Sequence, residues 1–137
     1  MQMMSCYKED IQLEKNSDSG INHNQSRTET YKHKVKILKN SLLYKIIGKE
    51  EIEVNSFHNY HVTENHLYNT VAYSEDGLIE AIEYPSNTFN IGVQWHPERM
   101  VDYDDSSYKL MTYFIDEAIK YCEEKVKKEN QKKVESL

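Results

Sequence analysis

The sequence predicts an α/β fold, and three observations lead to this prediction. Residues 33–57 alternate between strand-like and helix-like patterns, residues 70–84 have the pattern of a β-hairpin, and residues 106–129 repeat apolar positions with helical period. Strands and helices that alternate along a chain are typical of α/β domains. We therefore expect βαβ-like units, then a hairpin, a final strand and a C-terminal amphipathic helix.

The βαβ-like region has clear boundaries. Residues 33–38 (HKVKIL) and 51–57 (EIEVNSF) alternate apolar and polar positions, as half-buried strands do. The helix-like run between them follows Ser41, a residue type that caps helix N-termini, and stops at Gly48, a residue type that ends helices. A short helix between two strands is the prediction.

The second half of the chain supplies a turn and a long helix. Asp76-Gly77 lies between two β-type runs and provides the positive φ angles that a tight hairpin turn requires. Residues 90–95 then form a final strand. One face of the C-terminal helix collects apolar side chains, which are Leu110, Tyr113, Phe114, Ala118, Tyr121 and Cys122.

We divide the chain into three parts. Residues 1–30 show little period, and we interpret them as the end of a helix, including Met3, Met4 and Tyr7, followed by a polar loop. Residues 31–121 form the compact domain, and residues 122–137 form a charged helical tail.

Composition excludes several classes of function. The net charge is −6 and basic residues cluster only in the mixed-charge tail, so we expect no nucleic-acid partner. No apolar run approaches the length of a membrane span and no signal peptide is evident, so we expect a cytoplasmic protein without membrane contact. Cys6 and Cys122 have no redox or metal spacing, which fits unpaired thiols in a reducing compartment. The hydrophobic fraction, 38%, is low, which indicates a thin core or a core that is completed by something not present in this chain.

The segment IGVQWHPERM, residues 91–100, carries the main chemical signal. His96 and Glu98 flank Pro97, which restricts the backbone between them. An imidazole beside a carboxylate has the arrangement of a general base and the group that orients it. A hydrogen-bonded surface histidine at the end of a strand is the alternative.

Three motifs in order, VNSFH, SEDGLIEAIE and GVQWHPE, resemble the C-terminal half of the class I glutamine amidotransferases, and in particular the γ-glutamyl hydrolases of peptidase family C26. The resemblance covers about residues 30–120 and implies the C-terminal part of a flavodoxin-like α/β domain. It also implies a Cys-His-Glu triad that attacks a γ-glutamyl amide, with His96 as base and Glu98 as carboxylate. The substrate-side residues that it implies are Ser56, His58, Asn59 and Tyr60. Family members often read His-His-Gln where this chain has His58-Asn59-Tyr60.

The resemblance fails at the nucleophile. The family carries its cysteine in a Gly-x-Cys-x-Gly elbow, and no such segment occurs in this sequence. We expect Cys6 to be non-catalytic and Cys122 to pack on its helix. Family elbows continue as Cys-Arg-Gly-x-Gln-x-Met, so the opening Met1-Gln2-Met3-Met4 predicts a chain that starts just past the elbow. The sequence therefore predicts no nucleophile in this chain.

The expected partner is a small γ-glutamyl compound or glutamine, together with a complementary N-terminal half or self-association. No cofactor is expected. No metal is expected at His58, His61, His66 and His96, because their spacing fits no zinc pattern. Three functions stay open: a γ-glutamyl amide hydrolase or its carboxyl half, a non-catalytic binding or regulatory remnant, and a glutaminase subunit of an ammonia-using synthase.

Overall fold

The structure of the protein is a computed structural model. It describes residues 2–5, 13–16, 20–24, 32–86 and 89–137.

A six-stranded sheet dominates the described residues. Its strands are β1 (Gln2–Ser5), β3 (His33–Ile37), β4 (Glu51–Val54), β6 (Asn69–Ser74), β7 (Ile79–Glu83) and β8 (Asn90–Val93), in the order β1-β8-β7-β6-β3-β4. All neighbouring strands are antiparallel. A separate ribbon pairs β2 (Leu13–Lys15) with β5 (Tyr60–Val62).

The first helix begins and ends at the residues that the sequence indicated. Helix α1 (Leu42–Ile47) starts after Ser41, whose Oγ accepts a hydrogen bond from the Tyr44 N–H at 3.0 Å, and ends at Gly48, whose φ is +74°. Both predictions are confirmed. After β8, a 3₁₀ turn (Pro97–Arg99) leads into helix α2 (Asp105–Glu135).

The prediction of βαβ-like units is wrong for β3 and β4, because these two strands are antiparallel neighbours, with His33 opposite Val54. Both strands alternate strictly between buried and exposed residues. That alternation is typical of an antiparallel sheet with one solvated face, whereas parallel strands are buried on both faces. Helix α1 therefore packs over an antiparallel connection.

The predicted hairpin is confirmed, although Gly77 alone of the Asp76-Gly77 pair has a positive φ. Strands β6 and β7 pair, with Tyr73 opposite Ile79, and Gly77 in the turn has a φ of +84°. The Gly77 N–H donates to the Ser74 carbonyl at 3.0 Å, which closes the turn.

The start of the chain differs from the sequence interpretation. Gln2–Ser5 is a strand, antiparallel to β8 with Met3 opposite Gly92, where we predicted the end of a helix. Pairing with β8 covers an edge that would otherwise present unpaired backbone groups, and such tertiary pairing overrides a local helical preference. Tyr7 lies outside the described residues.

The main core lies between the sheet, α1 and the first turns of α2, and includes Val35, Leu43, Ile91, Val93, Trp95, Met100 and Leu110. Only the beginning of α2 contributes to this core. Tyr121 and Cys122 are exposed, so the predicted packing role of Cys122 is wrong. The rest of the helix extends into solvent, as its alternating charges predicted. Among the described residues, no helix combines the length and apolar character that crossing a membrane requires.

Candidate functional site

His96 and Glu98 form a hydrogen-bonded pair where β8 gives way to the 3₁₀ turn. The distance from His96 Nδ1 to Glu98 Oε1 is 2.8 Å. A carboxylate only accepts hydrogen bonds, so Nδ1 carries the proton and Nε2 is left as the basic nitrogen. Pro97 occupies the first position of the turn, where its fixed φ is favourable. The two side chains remain partly open to solvent, at 27% and 38% exposure, so a reactant can approach them.

Two neighbours hold the backbone and ring of His96 in place. The Asn55 side chain accepts from the His96 N–H at 2.8 Å and donates to the His96 carbonyl at 3.0 Å. The Phe57 ring lies edge-on to the imidazole, with 5.7 Å between ring centroids, and the Arg99 guanidinium lies over the Phe57 ring, 4.7 Å from its centroid. Sequence reasoning missed Asn55, although the residue stands inside the VNSFH motif.

Replacing Asn55 tests this clamp. Asn55→Ala is expected to lower the free energy of unfolding by about 1–3 kcal/mol, because the His96 N–H loses its acceptor and the His96 carbonyl keeps only the Arg99 N–H, at 3.2 Å. Denaturant unfolding measures the loss. Asn59→Ala is the matched control: Asn59 is exposed, and its Oδ1 accepts one bond from Asn24 at 2.7 Å, so a change within about 0.5 kcal/mol is expected. Equal losses for the two variants would contradict the clamp.

The four predicted substrate-side residues occupy different environments. Ser56 is fully buried and its hydroxyl donates to the His23 carbonyl at 2.8 Å. His58 points its Nδ1 at the Tyr60 carbonyl, 2.9 Å away. Asn59 and Tyr60 are exposed. The structure therefore leaves His58, Asn59 and Tyr60 nearer to solvent than Ser56.

A cavity of about 500 Å³ opens beside two of these residues, His58 and Asn59. Most of its remaining wall comes from amide and imidazole side chains, namely Asn16, Asn22, His23 and Asn24. Amide groups can both donate and accept hydrogen bonds, which suits a small polar molecule. His96 and Glu98 do not line this cavity.

No thiol of the described residues lies beside His96. Cys122 is 17 residues beyond Asp105 in α2, which places it roughly 25 Å along the helix axis at 1.5 Å per residue. Its side chain is exposed. Cys6 lies outside the described residues.

A second polar group is buried in the sheet, around the fully buried carboxylate of Glu80. Its Oε1 lies 3.4 Å from His23 Nδ1, 3.4 Å from His33 Nε2 and 3.7 Å from His58 Nε2. We call these four residues the Glu80 cluster. His61, His66 and His96 do not belong to it.

Burial and neighbouring charges shift the pKa values of this cluster in opposite directions. Burial disfavours the carboxylate, yet the imidazoles of His23, His58 and His33 hold the pKa of Glu80 below its ordinary value. Burial also disfavours a charged His23, but Glu80 and Asp76 raise its pKa overall. Burial is the larger influence at His33 and lowers its pKa. Of these two imidazoles, His23 therefore takes up a proton more readily than His33.

Comparison with known proteins gives a consistent result. The peptidase C26 family model matches residues 6–98 of this chain. A Schizosaccharomyces pombe protein whose name assigns it to the glutamine amidotransferases is 40% identical over 95 residues, covering 68% of this chain and 37% of the relative. A glutamine amidotransferase-like protein of Rickettsia prowazekii is 40% identical over 87 residues, covering 60% of this chain and 30% of the relative. The chain spans about a third of the length of these curated relatives.

A solved structure has the same fold. A Thermoplasma acidophilum protein, described as one of the subunits of GMP synthase, superposes with a TM-score of 0.60 at 18% identity, covering 84% of this chain and 52% of that chain. At this identity the likeness concerns the fold alone, and it confirms the predicted glutamine amidotransferase-like α/β architecture.

Proposed function

The chain belongs to the peptidase C26 family, and from this premise we propose that it carries the base and orienting carboxylate of a γ-glutamyl amide hydrolase. The observation that supports the proposal is the 2.8 Å contact between His96 Nδ1 and Glu98 Oε1, which leaves Nε2 as a proton acceptor.

The proposed reaction is acyl transfer through a thiol. His96 Nε2 takes the proton from a cysteine thiol, and the sulfur attacks the amide carbon of the γ-glutamyl group. As the C–N bond breaks, His96 returns the proton to the leaving nitrogen, and a thioester forms. Water, deprotonated by the same imidazole, then cleaves the thioester to release the free carboxylate and the thiol. Glu98 stabilises the imidazolium in both halves of the reaction.

The thiol comes, in this proposal, from a complementary polypeptide segment that carries the Gly-x-Cys-x-Gly elbow. Two surfaces support such a partner. β1 lies at one edge of the sheet, and an edge strand can accept another strand. Helix α2 also exposes Ile115, Ile119 and Val126, at 52%, 51% and 55%. A cytoplasmic, reducing setting would keep the cysteine in the thiol form that the reaction requires.

The amide-lined cavity supports a small polar substrate. We propose glutamine or another γ-glutamyl amide as that substrate, with Asn59 contacting it and His58 forming part of the cavity wall. Tyr60 lies next in the chain and Ser56 supports the wall from inside, through its bond to the His23 carbonyl.

Reconstitution tests the proposal. The 137-residue chain, co-expressed with the N-terminal segment of a related peptidase C26 protein that contains the elbow, is expected to release the amine from γ-glutamyl amides. The chain alone should release none. The matched control is the same complex with the elbow cysteine changed to alanine, which should be inactive. A stable complex without activity would contradict the proposal, as would activity of the chain alone that survives Cys6→Ala combined with Cys122→Ser.

A further inference from the structure

The Glu80 cluster is unusual because its carboxylate has no conventional hydrogen-bond donor. Glu80 stands in the middle of β7 between Ile79 and Ala81, and all three residues are buried. Within the described residues, neither carboxylate oxygen makes a hydrogen bond of normal geometry. An unpaired buried carboxylate costs several kcal/mol, so such groups are normally paired or bound to a metal ion.

The three imidazoles each have a hydrogen-bond acceptor beside their outer nitrogen. His23 Nε2 lies 2.8 Å from Asp76 Oδ2, His58 Nδ1 lies 2.9 Å from the Tyr60 carbonyl, and His33 Nδ1 lies 3.3 Å from the Lys34 carbonyl. Carboxylate and carbonyl oxygens only accept, so these contacts put a proton on the outer nitrogens of His23 and His33. At His58 the shorter contact, to the Tyr60 carbonyl, favours the same tautomer, whereas the Asn16 amide nitrogen, 3.3 Å from Nδ1, favours the other.

In their neutral forms the rings present lone pairs from their inner nitrogens to Glu80. His23 Nδ1, His33 Nε2 and His58 Nε2 all face Glu80 Oε1, and a ring can donate to it only when both of its nitrogens are protonated. Lone pairs that converge on a carboxylate oxygen repel one another unless a cation lies between them. Metal-binding histidines have this same arrangement, with the outer N–H held by a carboxylate or a carbonyl.

Two of the donor-atom separations fit zinc. Bonds of about 2.0–2.1 Å to nitrogen and oxygen place neighbouring ligand atoms roughly 3.4 Å apart in a tetrahedral site. The donor atoms of His23, His33 and Glu80 all lie within 4.8 Å of one another, and two of the separations are 3.4 Å. The third imidazole, His58, lies 3.7 Å from Glu80 Oε1 but outside that set of mutually close donor atoms, so its ring must move to supply a fourth ligand.

We propose that the Glu80 cluster is a structural Zn²⁺ site with the ligands His23 Nδ1, His33 Nε2, His58 Nε2 and Glu80 Oε1. Charge supports this assignment. Two buried carboxylates, Glu80 and Asp76, are neutralised by one divalent cation when the three imidazoles are neutral. His33 and Glu80 lie on strands β3 and β7, and His58 lies in the segment after β4. His23 comes from residues 20–24, so the ion links that segment to the sheet.

Metal binding by the complete 137-residue chain tests the site without any activity assay. Chelator-treated protein is titrated with Zn²⁺ against a chromophoric chelator, and separately with Co²⁺, whose visible absorption is intense in tetrahedral sites and weak in octahedral ones. We expect one Zn²⁺ per chain, a tetrahedral Co²⁺ spectrum and a raised unfolding temperature, since a ligand that binds only the folded state stabilises it.

A graded set of variants locates the ion. Asp76→Asn removes only an outer hydrogen-bond acceptor and should lower the Zn²⁺ affinity about 10–100-fold. Glu80→Gln and His33→Gln each remove a ligand and should lower the affinity more. His66→Gln, at an exposed histidine, is the control and should bind Zn²⁺ as the unmodified chain does.

Several results would overturn the site. These are a folded chain that takes up no Zn²⁺, an affinity unchanged in Glu80→Gln and His33→Gln, and a loss in His66→Gln. The first result would mean that a proton on His23 is the only cation in the cluster. If circular dichroism shows that the ligand variants do not fold, the Co²⁺ spectrum of the unmodified chain decides: a tetrahedral spectrum supports the site and an octahedral one excludes it.

Discussion

His96→Ala is expected to lower the amide hydrolysis of the reconstituted complex by about 10²–10⁴-fold, because general base catalysis supplies an acceleration of that order. The loss should appear in kcat with little change in KM, since the imidazole acts on protons in the transition state and contributes little to binding the ground state. Release of the amine from a γ-glutamyl amide measures both constants.

Glu98→Gln should cause a smaller loss, on the order of 10²-fold, in the same assay. The amide can turn its NH₂ group towards His96 Nδ1, which stabilises the tautomer with the proton on Nε2 and removes the base for part of the time. Lys128→Ala, on the exposed end of α2, is the control and should not change the rate. A folded, active complex in which His96→Ala has no effect would exclude the proposed role of the dyad.

The dyad was predictable because its parts are local. His96 and Glu98 are two residues apart, and the proline between them starts a 3₁₀ turn, so their contact depends little on the rest of the fold. The hairpin at Asp76-Gly77 was predictable for the same reason, since the turn itself requires a positive φ.

The Glu80 cluster was not predicted because its residues come from four separate segments. His23, His33, His58 and Glu80 meet only once β3, β7 and the segment after β4 are assembled. Two signals were present in the sequence. Glu80 interrupts an apolar strand, and His33 occupies the inward phase of β3, in register with Val35 and Ile37. A polar residue at an inward position indicates a buried polar site.

Strand direction was mispredicted although the local pattern contained a signal for it. A short helix between two strands is compatible with parallel and antiparallel pairing. The exposed lysines of β3 alternate with buried residues, and this alternation favours antiparallel pairing. By contrast, Gln2–Ser5 pairs with β8, a contact over almost the whole length of the domain, which no local pattern encodes.

Trp95→Ala is expected to lower the free energy of unfolding by about 3–5 kcal/mol, because it removes a large buried aromatic side chain and leaves a cavity. Trp95 is 1% exposed and lies in the core with Ile91, Met100 and Leu110. Domains have about 5–15 kcal/mol of stability in total, so this variant should be close to unfolding at room temperature. Far-UV circular dichroism in denaturant is the measurement, because Trp95 is the only tryptophan and its fluorescence is lost.

Tyr108→Ala is the matched control, since Tyr108 is an aromatic residue near the start of α2 that is 59% exposed, and a change within about 0.5 kcal/mol is expected. Equal effects at the two positions would contradict the core placement of Trp95.

Trp95 also affects the candidate functional site, because it directly precedes His96. A side chain fixed in the core on one side and the Asn55 hydrogen bonds on the other leave the His96 backbone little freedom to move. Trp95→Phe, which keeps an aromatic ring in the core, should therefore retain more hydrolysis in the reconstituted complex than Trp95→Ala, even at temperatures where both variants are folded.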